Sequence, residues 1–207
     1  MSMIAAEKSA PYASDGSGSP AEKSWTITEY RTMHDLGILS DEPKTELIYG
    51  KIYENMPLNS KHSGYTTRIS RNLTLLFYPK FDFRSEQPVV LNKTESMPQP
   101  DIAVCRHQDH DYIDRHPTPE DIFVLVELSD STLYFDRNTK REMYAEEGIQ
   151  EYWIINIKRE EVEVYLNPLP EEKRYRSQTS YKWSEVIDSP TLGQLEGTRI
   201  FGTSIKQ

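Results

Sequence analysis

The chain has 207 residues, 36% of them hydrophobic and 11% aromatic, with one cysteine and a formal net charge of −9. That length fits one domain with a tail, and no apolar run approaches the roughly 20 residues needed to cross a bilayer. A lone cysteine excludes an intramolecular disulfide and suits a reducing cytoplasm, while the acidity counts against a protein that grips nucleic acid through a broad basic face.

Residues 1–23 carry scattered charges among Ala, Ser, Gly and Pro and contain no apolar signal core. They read as a disordered leader, which leaves 24–207 as a single domain. Thr26-Ile27-Thr28-Glu29 has the spacing of a capping box, so a short helix is expected from there to about Leu36-Gly37. Thr45 to Tyr53, with Gly50 between two strand-like stretches, predicts a hairpin or a bulged strand. Ser60 is placed to cap a longer helix, because Tyr65, Ile69, Leu73, Leu76 and Phe77 recur at steps of three and four before Pro79. Val89–Leu91, Ile102–Cys105 and Ile122–Val126 are short and β-branched, with Pro, Asn or Asp at their borders, which predicts strands. A helix is expected over Arg137–Glu147, with Asp136 as its cap and Gly148 past its end. Tyr152–Ile157 and Val162–Leu166 predict a hairpin over Lys158-Arg159-Glu160, with Glu161, Glu163 and Tyr165 on a wet side. The order of elements gives a mixed α/β domain with a central sheet.

Three charged residues stand where apolar ones would be expected. Asp101 opens the strand Ile102–Cys105, and Glu127 closes the run Ile122–Val126 on the pleat face of Phe123 and Leu125. Lys140 shares a helical stripe with Met143, Tyr144 and Glu147. A buried charge costs several kcal/mol unless paired or metal-bound. Two carboxylates at adjacent strand ends repel unless a cation lies between them. A divalent ion with oxygen ligands and a nearby lysine would resolve that conflict, and these are the parts that phosphodiester hydrolysis needs. The ordinary alternative is a strand cap, a rim carboxylate and a snorkelling lysine.

Gln99-Pro100-Asp101-Ile102-Ala103-Val104 resembles the first half of the PD-(D/E)xK nuclease signature. Leu125-Val126-Glu127-Leu128-Ser129-Asp130 follows it, then Asp136-Arg137-Asn138-Thr139-Lys140, Tyr144-Ala145 and Gly148-Ile149-Gln150-Glu151-Tyr152-Trp153. Together with Glu46-Leu47-Ile48-Tyr49-Gly50-Lys51 and His62, these are similar to the Uma-type endonuclease family. That family is common in cyanobacteria and long catalogued as a domain of unknown function. The resemblance runs from about Thr26 to the C-terminus. It implies a restriction-endonuclease-like core, a mixed sheet flanked by helices. It also implies a Mg²⁺- or Mn²⁺-dependent endonuclease acting on DNA, with Asp101 and Glu127 as metal ligands. Lys140 would then replace the lysine of the usual E-x-K, whose position holds Ser129, and Glu46 would add a carboxylate. The chain departs from the family at Asp130, where proline is common, and at Ile154-Ile155-Asn156-Ile157, where Leu-Val-Asp-Pro is usual.

Other readings stay open. A catalytically silent nuclease-fold module that binds nucleic acid or a protein would explain the net charge, and another phosphate ester could be the substrate. Cutting both strands of a duplex takes two sites, which suggests a homodimer. Lys61, Arg68 and Arg71 form a local basic cluster for DNA contact. Cys105 to His116 holds metal-ligand residue types but no paired C-x-x-C, as expected of a solvated loop.

Overall fold

The structure is a computed structural model that describes residues 22–202 except 41, 56 and 58. Most of the expected leader therefore lies outside the described residues; Glu22 and Lys23 pair with Lys51 and Glu29. Helix α1 spans Ile27–Asp35 and starts at the capping box: Thr26 Oγ1 accepts the Glu29 N–H, and the Glu29 carboxylate accepts the Thr26 N–H. Strands β1 (Thr45–Ile48) and β2 (Lys51–Glu54) form an antiparallel hairpin. Its two turn residues, Tyr49 and Gly50, have φ of 51° and 70°, the left-handed geometry that matches strand twist in a two-residue loop. A Cβ on Gly50 would stand 2.1 Å from Ser24 Oγ, so the N-terminal approach to the hairpin needs glycine there. Helix α2 spans Ser60–Phe77 and is capped by Asn59, whose side chain accepts the His62 N–H. The cap thus falls one residue before the expected Ser60.

Six strands form the central sheet in the order β3-β4-β5-β6-β7-β8. They are Phe81–Ser85, Ile102–Arg106, Ile122–Ser129, Glu151–Asn156, Glu161–Leu169 and Arg174–Lys182. Every neighbouring pair is antiparallel except β5–β6, which is parallel. Parallel neighbours require a crossover. Here it is a helical segment made of α3 (Leu133–Phe135), a π-helical turn (Asp136–Lys140) and α4 (Arg141–Glu146). A hairpin of β9 (Val186–Ser189) and β10 (Gly193–Glu196) leads to α5 (Gly197–Phe201).

Both faces of the sheet are covered. Alternate residues such as Ile102, Val126, Trp153 and Val164 pack with Ile69 and Leu73 of α2 and with Phe201. The intervening residues, including Ala103, Leu125, Tyr152 and Ile154, pack with Met143 and Tyr144 of α4. A smaller cluster joins Ile27 and Tyr30 of α1 to Leu47 of the hairpin. This is a mixed α/β fold built on a six-stranded mixed sheet flanked by helices.

Three local expectations are corrected. Val89–Leu91 is buried but forms no strand, only a bridge from Leu91 to Ser96. Phe123 does not share the Glu127 face, because the β4–β5 register shifts between Val104 and Cys105 and Phe123 is the extra residue. Glu163 is not on a wet side: it is buried, ion-paired with Arg137 and hydrogen-bonded by Tyr165 OH at 2.7 Å.

Candidate active site

The β4–β5 ladder ends at the pair Ile102–Val126, so Asp101 and Glu127 are the next residues on each strand at the same end. Asp101 Oδ2 accepts the Leu128 N–H at 2.6 Å, which fixes its carboxylate against β5. The crossover returns over this end of the sheet. Its wide turn, closed by the Arg141 N–H reaching the Asp136 carbonyl, buries both Asp136 and Lys140; π-turns of this sort are common at functional sites. Lys140 Nζ donates to Glu127 Oε1 at 3.0 Å and stands 3.3 Å from Glu46, which β1 supplies from the hairpin. Tyr144, one turn further along the same stripe, donates its hydroxyl to Glu127 Oε1 at 2.7 Å. The Gln99 N–H holds Glu46 at 2.7 Å.

Glu46, Asp101, Glu127 and Lys140 therefore line one cleft of about 410 Å³. The four residues singled out in the sequence come together from separate elements. No sequence signal assigns a site role to Tyr144, Asp136 or Gln99. Tyr144 is visible there only as a stripe residue, and Asp136 as a helix cap. In the structure Asp136 Oδ2 instead accepts hydroxyls of Ser129 and Thr132, each at 2.6 Å.

The electrostatics are unbalanced towards negative charge. Burial pushes the Glu127 carboxyl well above its ordinary range; Lys140 opposes this, while Asp136, Asp101 and Glu46 push it further up. Burial alone would lower the Lys140 ammonium, but Glu127, Glu46 and Asp136 outweigh it and hold the lysine protonated. Asp136 is likewise raised, by burial first, against Lys140 and its two hydroxyl donors. One lysine thus serves four neighbouring carboxylates. A hard divalent cation with oxygen ligands fits that surplus.

His62 enters from the first turn of α2. Its Nε2 lies 2.9 Å from the Leu128 carbonyl and 3.4 Å from Asp101 Oδ1. A carbonyl only accepts, so Nε2 carries the proton and the ring donates towards both. Burial would lower the imidazole, yet Asp101 and the Leu128 carbonyl prevail and raise it. Ligand atoms of His62, Glu86 and Asp101 also lie within 4.8 Å of one another. Coordination through His62 Nε2 would displace its bond to Leu128, and Asp101 already meets the Leu128 N–H with Oδ2 and His62 with Oδ1.

The other sequence candidates lie elsewhere. Lys61, Arg68 and Arg71 do not line the cleft, and Arg68 donates to the Phe201 carbonyl at 3.1 Å, tying α2 to α5. Within Cys105–His116, His107 bonds Asp82 at 2.7 Å, and burial pushes the Cys105 thiol up to about 12. Among the described residues that loop gathers no metal-ligand group.

Comparison with known proteins bears on the family and the fold. The model of the Uma2 family, described as "Putative restriction endonuclease", matches residues 27–199. A crystal structure titled as a putative nuclease belonging to DUF820, from Anabaena variabilis ATCC 29413, superposes with a TM-score of 0.64. It is 18% identical, and the match covers 85% of this chain and 97% of that one, a likeness of fold. No curated protein matches the chain. The family model spans most of the chain's length, and the chain belongs to the Uma2 family.

Proposed function

We propose that the chain is a divalent-metal-dependent endonuclease that hydrolyses DNA phosphodiester bonds at the Asp101–Glu127–Lys140 cleft. The observation that carries this reading is the Lys140 ammonium set between Glu127 and Glu46 in a cleft that Asp101 shares. Asp101 and Glu127 would hold Mg²⁺ or Mn²⁺, since both carboxylates line one cleft with surplus negative charge around them. When bound, the ion polarises the scissile phosphate and lowers the pKa of the attacking water. Water adds to phosphorus, the P–O bond to the leaving sugar oxygen breaks, and that oxygen gains a proton.

The chain's own side chains prepare this step. Lys140 supplies a permanent positive charge where the phosphorane-like transition state accumulates negative charge. Glu46 and Tyr144 hold the lysine and Glu127 in register, and the Leu128 N–H and His62 fix Asp101. A homodimer in the cytoplasm, offering one site to each strand, completes the proposal.

A second reading, a catalytically silent module that binds nucleic acid or a protein, is favoured by the net charge of −9 and by Lys140 already neutralising Glu127. Nicking of supercoiled plasmid with Mg²⁺ or Mn²⁺, with and without chelator, decides between them. The endonuclease reading requires metal-dependent nicking that Asp101→Asn and Lys140→Met abolish. DNA binding without any nicking in either metal would establish the silent module instead.

A further inference from the structure

The charged groups of the cleft sit on its floor, where Glu46, Glu127 and Lys140 are buried. Its mouth is aromatic. Tyr53, Tyr134 and Phe135 line the same cleft, and the two tyrosines are exposed, Tyr134 to 82%. Each aromatic comes from an element that also carries or leads into the site. Tyr53 of β2 is the register partner of Glu46 on β1, and paired residues of an antiparallel hairpin turn their side chains to one face. Tyr134 and Phe135 belong to α3, which runs straight into the π-turn that ends in Lys140. Phe135 backs the Tyr53 ring, with centroids 5.4 Å apart and planes at 56°. The Tyr134 ring stands free: among the described residues the bond from the Asn138 side chain goes to its main-chain carbonyl, and its own side chain has none.

What such a rim can hold follows from what the cleft lacks. Among its described lining residues Lys140 is the only lysine or arginine, and it is already paired with Glu127 and Glu46. Glu54 and Asp130 add carboxylates to the wall, and Asp130 is itself paired with Lys158. A metal ion at Asp101 and Glu127 would take the one phosphate to be cut, but no cationic side chain of the described cleft remains for the phosphates on either side of it. The backbone contacts that supply most of the affinity for a duplex are thus missing from this surface. Stacking on aromatic rings supplies affinity without cations, and every base has a face to offer. In a duplex those faces are covered by neighbouring base pairs, so only a base outside the stack can lie on a tyrosine.

We propose that the substrate of this cleft is an unpaired stretch of DNA, whose bases near the scissile phosphate stack on Tyr134 and on the Tyr53 ring that Phe135 supports. The proposal rests on the endonuclease reading and names the substrate class of that same site, while strand binding is measurable without cleavage. Single-stranded DNA enters the cleft directly, whereas a duplex must first open at the bond to be cut. Such recognition lets a chain of net charge −9 hold DNA without a basic face.

The test is fluorescence anisotropy with the full chain, in Ca²⁺ in place of Mg²⁺, of a labelled single strand of roughly 20 nucleotides and of the same sequence as a blunt duplex. The wild type should bind the single strand about 10-fold or more tightly than the duplex. Tyr134→Ala should weaken single-strand binding about 5- to 100-fold, and Tyr134→Trp should retain it. A strand of equal length built from abasic residues separates stacking from phosphate contact: the wild type should bind it about as weakly as Tyr134→Ala binds the intact strand. Tyr134→Ala is the decisive variant, since an exposed ring without partners can be removed without unfolding. Equal or tighter binding of the duplex, wild-type affinity in Tyr134→Ala, full affinity for the abasic strand, or no binding of either DNA would each overturn the proposal. Metal-dependent nicking by a chain that shows no preference for the single strand would leave the endonuclease reading standing and sink the substrate class alone. Tyr134-dependent strand binding by a chain that never nicks DNA would keep the aromatic rim as a strand site and refute the endonuclease reading.

Discussion

Replacing Lys140 with methionine tests whether the cleft is held together by charge. The side chains of Lys140, Glu127 and Glu46 are 8%, 5% and 6% exposed, so solvent screens their contacts little. Methionine preserves length and apolar volume but leaves two buried carboxylates without their cation. Breaking a buried pair in this way costs about 3–5 kcal/mol. At about 2–4 °C per kcal/mol for a domain of this size, Tm should fall by roughly 6–20 °C near pH 8 in chelator. The loss has a pH signature. The folded-state pKa of Glu127 already stands well above its ordinary 4.5, and removing Lys140 raises it further. A carboxyl with a raised folded pKa contributes stability below its unfolded value and loses that contribution as pH rises through the folded one. The variant should therefore lie closest to wild type at the acid end of the pH range, where Glu127 is protonated in both, and its deficit should grow as pH rises. Differential scanning calorimetry across that range reads the effect directly. An unchanged Tm at pH 8, or a deficit that grows on acidification, would refute the claim that Lys140 neutralises buried Glu127.

Three further outcomes follow from the same contacts. Saturating Mg²⁺ or Mn²⁺, at about 100 times its Kd, should stabilise the folded chain by about 2.7 kcal/mol; thermal shift should lose this increment in Asp101→Asn, which keeps an acceptor for the Leu128 N–H. His62→Ala should lower metal affinity or nicking rate about 10- to 100-fold by freeing Asp101, and His62→Asn should recover part of it; calorimetric titration of metal into both variants is the check. Arg137→Ala should destabilise by about 2 kcal/mol in urea, a discounted value because Arg137 is partly exposed, since Glu163 would be left buried with only neutral donors. The nicking rate per folded molecule should not change in that variant.

Features set by neighbouring residues are legible in the sequence itself. The Thr26–Glu29 capping box, the turn at Gly50, the stop at Gly148 and the Lys140–Tyr144 stripe depend on residues within one or two turns, and each stands where the pattern puts it. The placing of Asp101 and Glu127 in one cleft is legible for a related reason: each is a charge that interrupts apolar strand sequence, Asp101 just before β4 and Glu127 within β5. What escapes sequence patterns depends on distant partners. Phe81–Ser85 is a short alternating stretch that becomes a strand only by pairing with β4. Glu163 has the alternation of a solvent-facing residue, yet Arg137, 26 residues earlier on the helical crossover, pairs with it. The π-turn that replaces an ordinary helix start is set by Ser129 and Thr132 binding Asp136, a choice that helix propensity does not express. β8 is so polar that it carries little periodic signal, and the apolar residues after it, Ile187, Leu192, Leu195, Ile200 and Phe201, are spread over elements and a turn too short to show a period.

That polar β8 also constrains how two copies can meet. As the last strand of the sheet it turns one row of N–H and C=O groups outward, an open template for a foreign strand. Nearly all of its side chains are exposed, and they include Arg174, Arg176 and Lys182. Two copies joined edge to edge about Gln178 would set Arg174 against Lys182 at both ends of the seam, with two like-charge crossings and little apolar area gained. The edge therefore discourages runaway strand addition at β8, and the homodimer proposed above would have to form on another part of the surface.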